Sequence, residues 1–516
     1  MNKNSLKIKS AIISVYNKHG IKKLAQELNK RGVVIYSTSG TKNYLKKASI
    51  KTFSIKKLTN FPEIMEGKIK TLHPKVHGGI LGERNNDIKD ISHHNIHWID
   101  LIVCNLYPFF EIIQKENNID KIIKNIDIGG SAMIRSAAKN FEWVSVLIDP
   151  KDYNLIISKL DSGVDFIQRK NFSIKAFSYT SKYDFTIFRY LSKKENINKN
   201  TYFSKKFIFK SNKIYDLRYG ENPHQKASLY SNSNSCKELF IKNKIQGKPL
   251  SYNNIVDSSV AIKCLYEFKE AACVIVKHGS PCGVSISDNI DTAFQQAWEG
   301  DNISAFGGIV ALNKPCTLKI AKFLIHNFIE ILLAPRFKKS ILLILSKKPN
   351  FQIIDLANYQ YKKDSFFLQQ VLDGFLLQET NQYNIINDDL FVPTILKPNK
   401  SQLKDIFFSW KVIKYIKSNA ILIVENRKTL GIGMGQMSRI DAVKFAILKA
   451  KNKISISSIL ISDAFFPFPD AIKLISNAGI KIIVQPGGSI KDKININICN
   501  KYGLIMLFTG KRCFTH

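Results

Sequence analysis

Four short apolar segments near the N-terminus alternate with helical patterns, and that alternation limits the possible architecture more than any other feature. The segments cover 11–16, 33–36, 101–106 and 144–148. Each has strand length and is rich in β-branched or large apolar residues. Between the first two, Ile21, Leu24, Ala25 and Leu28 share one face of a helix over 21–31, which Gly32 stops. A further helical stretch covers 131–140. Strand-helix-strand repetition builds a parallel sheet covered by helices, an α/β fold.

The alternation returns further along. Strands are expected at 272–276, 309–312, 420–424 and 481–484, and helices over 258–268, 441–449 and 470–478. The stretch 350–384 gives no clear pattern, and no short tandem repeat points to a solenoid. Residues 192–206 are rich in Lys, Asn and Ser and read as a boundary or surface connection. A chain of 516 residues exceeds one core, so two or three domains are expected.

Charge bears on the partner. The chain carries 77 basic against 41 acidic side chains, a net +36. That balance suits phosphorylated ligands or nucleic acid. The excess is spread along the chain, however, and no nucleic-acid motif accompanies it. The apolar run 341–345 is short and bracketed by lysines, so no membrane span is expected. The N-terminal segment lacks the pattern of a signal peptide, which implies a cytoplasmic protein. None of the eight cysteines forms a C-x-x-C pair, and reduced, mostly buried thiols are expected. His93 and His97 offer an i,i+4 metal pair beside His94, but no third ligand lies near, and a solvated loop is the simpler reading.

Chemistry concentrates at Lys277 and His278. They end the apolar run 271–276 and precede Gly279-Ser280-Pro281-Cys282-Gly283, which reads as a tight turn. A cation and an imidazole thus stand together at a strand end, where open sheets place ligands. An ammonium beside an imidazole favours its neutral, basic form. A salt-bridged Lys beside a solvated His is the alternative.

Four segments of the first region suit a phosphorylated ligand. They are Ser14 with Lys18, the run 37–41 with its hydroxyls and Gly40, the run 68–74 with alternating lysines and His73, and Asp127 to Gly130 at a helix entry. Small residues at a helix N-terminus present N–H groups to an anion. Helix capping alone explains any one of them.

Longer motifs carry a resemblance. KTLHPKVHGGIL (70–81), CNLYPF (104–109), DIGGSAMIRSAAKN (127–140), LRYGENPHQ (217–225) and SAFGGIVA (304–311) are followed by KSNAI (417–421), GIGMGQMSR (431–439), SDAFFPF (462–468) and VQPGGSIKD (484–492). With these in order, the chain closely resembles the bifunctional purine biosynthesis family. That family joins phosphoribosylaminoimidazolecarboxamide formyltransferase to inosine monophosphate cyclohydrolase.

The resemblance implies a methylglyoxal-synthase-like parallel-sheet domain over 1–195. It implies a formyltransferase region over 196–516 of two cytidine-deaminase-like α/β subdomains, about 205–365 and 366–516. The implied assembly is a homodimer acting on nucleotide and folate, with neither nucleic acid nor membrane as partner. Formyl would pass from 10-formyltetrahydrofolate, as co-substrate, to the 5-amino group of the aminoimidazole carboxamide ribotide (AICAR). The formylated product (FAICAR) would close to inosine monophosphate (IMP) with loss of water. No metal is required, and a bound monovalent cation is compatible with the family.

By the family motifs, His278 would relay the proton, Lys277 would stabilise developing charge, and Asn419 would orient a carbonyl. Arg218, Tyr219, Arg439 and Arg512 would hold the nucleotide and its phosphate, with His224 helping. Phe465, Phe468 and Phe514 would contact pterin or base, and Asp470 would orient folate. Binding roles extend to Asn254, Phe306, Gly307 and Glu330. For ring closure the resemblance assigns Lys70, Tyr107, Asp127 and Lys139 as catalytic and Asn105 as aligning. Ser14, Lys18, Thr38, Gly40, Thr41, Thr71, Gly129 and Gly130 would cradle substrate and phosphate.

Four positions depart from the family pattern. Ser280 replaces an Asn, leaving fewer hydrogen bonds to hold the turn. Ser39 replaces a Gly, which is strained if φ is positive there. Lys68 replaces an Arg, losing its bidentate fork. Pro469 stands where members often carry Arg, so an anion contact is expected to be missing. Two rival readings follow: the same fold retaining only one activity, and a basic nucleic-acid-binding protein.

Overall fold

The structure, a computed structural model, describes residues 5–67, 69–195, 203, 207–209, 211–231, 233, 235–361, 363 and 366–516. The chain divides into two compact units between Phe207 and Ile208.

The first unit is built on β1 (Ser10–Val15), β2 (Val34–Ser37), β3 (Phe53–Ser54), β4 (Leu101–Asn105) and β5 (Ser145–Leu147). They form a parallel sheet in the order β3-β2-β1-β4-β5. The central strands are buried on both faces, with Ile12, Ile13, Ile102 and Val103 fully inside. That explains their unbroken apolar sequence. Helix α1 (Ile21–Lys30) buries the expected face, Ile21, Leu24, Ala25 and Leu28, and Gly32 beyond it takes φ +72°. Helix α2 covers Ser39–Lys46, and α3 covers Pro74–Leu81. Helix α4 (Ile128–Lys139) starts three residues earlier than its apolar pattern, because the Asp127 side chain caps Gly130 N–H. Helix α5 (Phe166–Glu195) runs through 192–195, the start of the expected connection. Positions 196–202 and 204–206 of that connection lie outside the described residues.

The second unit holds one sheet of 11 strands. After β6 (Lys244–Gln246) and helix α6 (Tyr252–Leu265) comes a hairpin of β7 (Ala271–Lys277) and β8 (Ser280–Ser287). Helix α7 (Ile290–Gly300) follows, then β9 (Ile309–Leu312), β10 (Ile331–Ala334) and β11 (Gln352–Asp355). The second half repeats the plan. Helix α8 (Lys400–Ile413) leads to a hairpin of β14 (Ile421–Glu425) and β15 (Lys428–Gly433). Then come α9 (Arg439–Ala450), β16 (Ile459–Ser462), α10 (Asp470–Asn477), β17 (Ile482–Gln485) and β18 (Ile505–Phe508). Between the halves stands a separate hairpin, β12 (Phe366–Val371) with β13 (Gly374–Glu379), in the stretch that gave no pattern.

The sheet order is β6-β11-β10-β9-β7-β8-β15-β14-β16-β17-β18. Read outward from the central β8–β15 pair, both halves run hairpin, antiparallel strand, then two parallel strands. Each hairpin lies under its helix at a glycine. A Cβ on Gly283 would sit 2.0 Å from the Ala297 carbonyl, and one on Gly433 2.0 Å from that of Ala442.

The expected turn over 279–283 is corrected. Only His278 and Gly279 turn, since Lys277 already pairs with Ser280. Ser280 to Gly283 belong to β8, and Pro281 is tolerated there because the register slips beside it, between Ile275 and Val276.

Candidate functional site

In the first unit the strand order reverses between β1 and β4, the place where a parallel sheet opens a crevice at its carboxyl ends. Val15 pairs with Asn105 there. The Asn105 side-chain oxygen accepts from the N–H groups of Tyr16 (2.7 Å) and Asn17 (2.8 Å), so it shapes the loop after β1. Ser14 and Thr38 hydroxyls lie 3.1 Å apart across β1 and β2. Buried Thr41 accepts from Val15 N–H at 3.2 Å and from the Lys18 ammonium at 3.3 Å. Lys18 also donates to the Val15 carbonyl. Burial lowers the pKa of Lys18 from the usual lysine value. Gly40 is exposed in the first turn of α2.

The Lys70 segment reaches the start of α4. A Cβ on Gly129 would strike the Thr71 hydroxyl at 2.5 Å, so only glycine lets that turn lie so close. Gly130 is packed against Asp127 and Leu106 in the same way. Burial raises the Asp127 pKa, against the pull of Gly130 N–H and the Lys70 charge. Tyr183 holds the Asp127 backbone, its hydroxyl accepting from the N–H at 2.8 Å. Tyr107 is half exposed, its ring 5.1 Å from that of Tyr16. Lys139 is the last residue of α4, exposed and about 18 Å from Asp127 along the helix at 1.5 Å per residue. The fold does not bring those two together.

In the second unit, strand direction gathers the candidates at one edge of the sheet. The end of β7, the starts of β8, β9, β10 and β14, and the ends of β15 and β16 all lie there. His278 (φ +55°) and Gly279 (φ +74°) form the two-residue hairpin tip, with both residues left-handed. The Lys277 ammonium donates to the Phe306 carbonyl at 2.6 Å. Gly307, at φ +73°, follows and donates its N–H to Phe328. A Cβ on Gly279 would lie 3.7 Å from the Lys417 side chain, so the tip faces the segment that carries Asn419.

Asn419 is clamped. Its amide nitrogen donates to the Gln436 (2.8 Å) and Met437 (3.2 Å) carbonyls, and its oxygen accepts from Arg439 at 2.8 Å. The Arg439 guanidinium also donates to Ser462 at 2.8 Å and pairs with fully buried Asp463. Ser418 donates to the other Asp463 oxygen at 2.5 Å. Arg439 is thus committed to protein partners, where a phosphate fork was expected. The C-terminal segment joins them, since Ser418 N–H donates to Thr515 and Cys513 N–H to Asp463. This fixes Arg512 and Phe514 nearby, with the guanidinium 4.8 Å from the ring.

Within the FFPF run, Phe465 and Phe468 are exposed and Phe466 is core, bonded through its backbone to Gln485 and Asn495. Asp470 is exposed at the start of α10. Arg218 and Tyr219 pair through their backbone with Leu250 and Tyr252, at the start of α6, and Arg218 donates to the Tyr219 hydroxyl at 2.6 Å. His224 is exposed. Asn254 forms a capping box with Ser251 and accepts from Gln352 at 3.1 Å. Glu330 pairs with Lys248 at 3.2 Å.

Of the four departures, Lys68 lies outside the described residues. Ser39 has no positive φ; it begins α2, and its hydroxyl donates to Glu63 at 2.5 Å. Pro469 sits just before α10 at φ −80°. The Ser280 hydroxyl is buried and has no hydrogen-bond partner among the described residues. Two carboxylates were missed by the sequence reading. Asp463 stood inside a quoted motif with no role given, and Asp257 lies in the part of α6 that precedes the expected helical stretch 258–268.

Comparison with known proteins decides the family. The family model described as AICARFT/IMPCHase bienzyme matches residues 137–449, and that of the MGS-like domain matches 20–132. The Bifunctional purine biosynthesis protein PurH of Thermoanaerobacter sp. (strain X514) is 45% identical over 98% of this chain and 100% of its own length. The chain belongs to the AICARFT/IMPCHase bienzyme family. Proteins of the same name in Caldicellulosiruptor saccharolyticus (43% identical; 98% of this chain, 100% of that one) and Buchnera aphidicola subsp. Acyrthosiphon pisum (41%; 99% and 99%) are similarly full-length matches. In this bienzyme the MGS-like match falls wholly within the first unit. Among the described residues, no helix is long and apolar enough to cross a membrane. No group of three or more His, Cys, Asp or Glu there could hold a metal ion.

Proposed function

We propose that the two reactions of the bienzyme are divided between its two units, formyl transfer in the second and ring closure in the first. The observation that carries this reading is the left-handed His278–Gly279 tip, directly after Lys277, facing the Lys417–Asn419 segment. The 5-amino nitrogen of AICAR is conjugated into its ring and carboxamide and is a poor nucleophile. It attacks the formyl carbon of 10-formyltetrahydrofolate as His278 takes its proton. Lys277 stabilises the oxyanion that develops on the formyl oxygen. The carbon–N10 bond then breaks, and the folate nitrogen leaves with a proton. Asn419 and the exposed Phe465 and Phe468 flank the substrates at this sheet edge. Arg218, Arg512 and Phe514 supply charge and ring surface at its margins. Arg439 acts through Asn419, which it holds.

In the first unit, the carboxamide nitrogen of FAICAR attacks its own formyl carbon, and water leaves from the resulting carbinolamine. Positioning supplies much of the rate in such an intramolecular closure. Ser14, Lys18, Thr38 and Thr41 hold the phosphate end. Asp127, whose pKa burial raises, exchanges the proton, while Lys70 and Tyr107 steady the developing charge. The resemblance, not the geometry, keeps Lys139 among the candidates.

A homodimer completes the reading. The β12–β13 hairpin exposes Leu368, Leu372 and Leu376 to solvent, and an isolated two-stranded hairpin needs a covering surface. The protein works in the cytoplasm on free nucleotide and folate, without nucleic acid as a partner, and no metal is required for either reaction.

His278→Ala tests the division. Formyl transfer, read by consumption of 10-formyltetrahydrofolate, is expected to be lost while cyclisation of supplied FAICAR continues. Equal loss of both in a folded protein contradicts the assignment.

A further inference from the structure

We propose that Asp257 is the positioning residue for His278: its carboxylate, reaching across from α6, fixes the left-handed hairpin tip and places a negative charge beside the imidazole. The inference rests on the reading of His278 as the proton acceptor.

A non-glycine residue at φ +55° is held in a sparsely populated conformation, and something must stabilise it. The strand pairing ends at Lys277 and Ser280, so it does not reach the two turn residues. The neighbouring hydroxyls do not help either. Ser280 and Ser258 are both buried, and neither hydroxyl has a hydrogen-bond partner among the described residues. Asp257 fills the gap. Its carboxylate accepts the Gly279 N–H, a backbone donor of the turn, at 2.6 Å. It lies close enough to the His278 ring to interact with its charge.

Two cations flank the tip. Lys277 is turned onto the Phe306 carbonyl, and the Lys417 side chain lies against Gly279. Asp257 is thus an anion that α6 brings to a tip flanked by two ammonium groups. A carboxylate there does two things. It sets the direction in which the imidazole leaves the turn, which matters because a misplacement of about 1 Å costs on the order of 100-fold in rate. It also compensates the positive charge His278 acquires when it takes the amine proton. The Ser280 departure acquires a meaning in this light. A side chain that makes no hydrogen bond to the turn is tolerated because Asp257 holds the Gly279 N–H.

Asp257→Asn tests this, since the amide keeps one acceptor oxygen and loses the charge. Its formyl-transfer kcat is expected to fall about 10- to 100-fold with KM for both substrates little changed. The acid limb of its pH–rate profile is expected to move to lower pH. Cyclisation by the same preparation is expected to be unchanged, and an unmoved melting transition of the second unit serves as the folding control. Asp257→Ala, which also removes the acceptor for the Gly279 N–H, is expected to lose more. An Asp257→Asn enzyme with wild-type kcat and an unmoved acid limb overturns the proposal. So does a loss of both activities in parallel with a lower melting temperature. His278→Ala measured alongside separates the two claims. If it spares formyl transfer, the reading of the site fails; if it abolishes transfer while Asp257→Asn is silent, only the role of Asp257 fails.

Discussion

Asp463→Ala is the sharpest structural perturbation of the transferase edge. The carboxylate is fully buried, and its partner Arg439 is 9% exposed. An exposed pair would contribute under about 1 kcal/mol. Removing one partner of a buried pair costs about 3–5 kcal/mol, because a guanidinium is left without its counter-charge. Ser418 loses its acceptor as well. Against a typical stability of about 5–15 kcal/mol, this is a large fraction for the second unit. At roughly 2 °C per kcal/mol for a unit of this size, the melting transition is expected to fall by about 6–10 °C. Function follows from the same contacts. Arg439, released from Asp463, no longer holds the Asn419 oxygen, and formyl transfer is expected to drop about 100-fold. Calorimetry resolves the transitions, and cyclisation of supplied FAICAR reports on the first unit. A transition moved by less than about 1 °C, with transfer within about twofold of wild type, would refute the view that this pair organises the site.

Two further outcomes are expected. Asp127→Asn should abolish cyclisation, leave formyl transfer intact and raise the melting temperature at neutral pH. Burial raises the Asp127 pKa, so the folded state binds more protons than the unfolded one between the ordinary carboxylate pKa and the raised one, and stability falls as pH rises through that window. The ionised group therefore costs stability at pH 7, and Asn removes that cost while keeping the cap on Gly130; the gain should shrink on acidification, and a lower neutral-pH melting temperature contradicts the sign. Gly433→Ala places a Cβ 2.0 Å from the Ala442 carbonyl and must displace α9, which begins at Arg439. A loss of about 1–3 kcal/mol together with reduced transfer is expected from thermal melts and assays, and a silent substitution contradicts the packing.

The parts of the fold legible in sequence were those where burial is uniform. Leu101–Asn105 and Ile309–Leu312 are buried at every position, so they read as apolar runs. The β12–β13 hairpin was invisible because most of its residues are exposed, and no alternation of apolar and polar residues marks its faces. Ser280 to Gly283 carried turn composition, yet a register slip let Pro281 into the strand. The Lys277–His278 pair was legible because its chemistry is local. The partners that position it were not. Asp257 approaches from α6, and Asp463 reaches Arg439 from a segment 24 residues away. Arg439 is a case in point: nothing in its glycine-rich motif announces the buried acid with which it pairs. Ser39 is the converse case, since the feared strain vanishes where the residue simply begins a helix.

The most direct measurement is a crystal structure of the protein soaked with AICAR. The exocyclic amino nitrogen should lie within about 3 Å of the His278 imidazole, or one water away from it, with the nucleotide on the sheet edge between the hairpin tip and Asn419. A nucleotide bound in the second unit away from that tip, with His278 facing only solvent, would contradict the account.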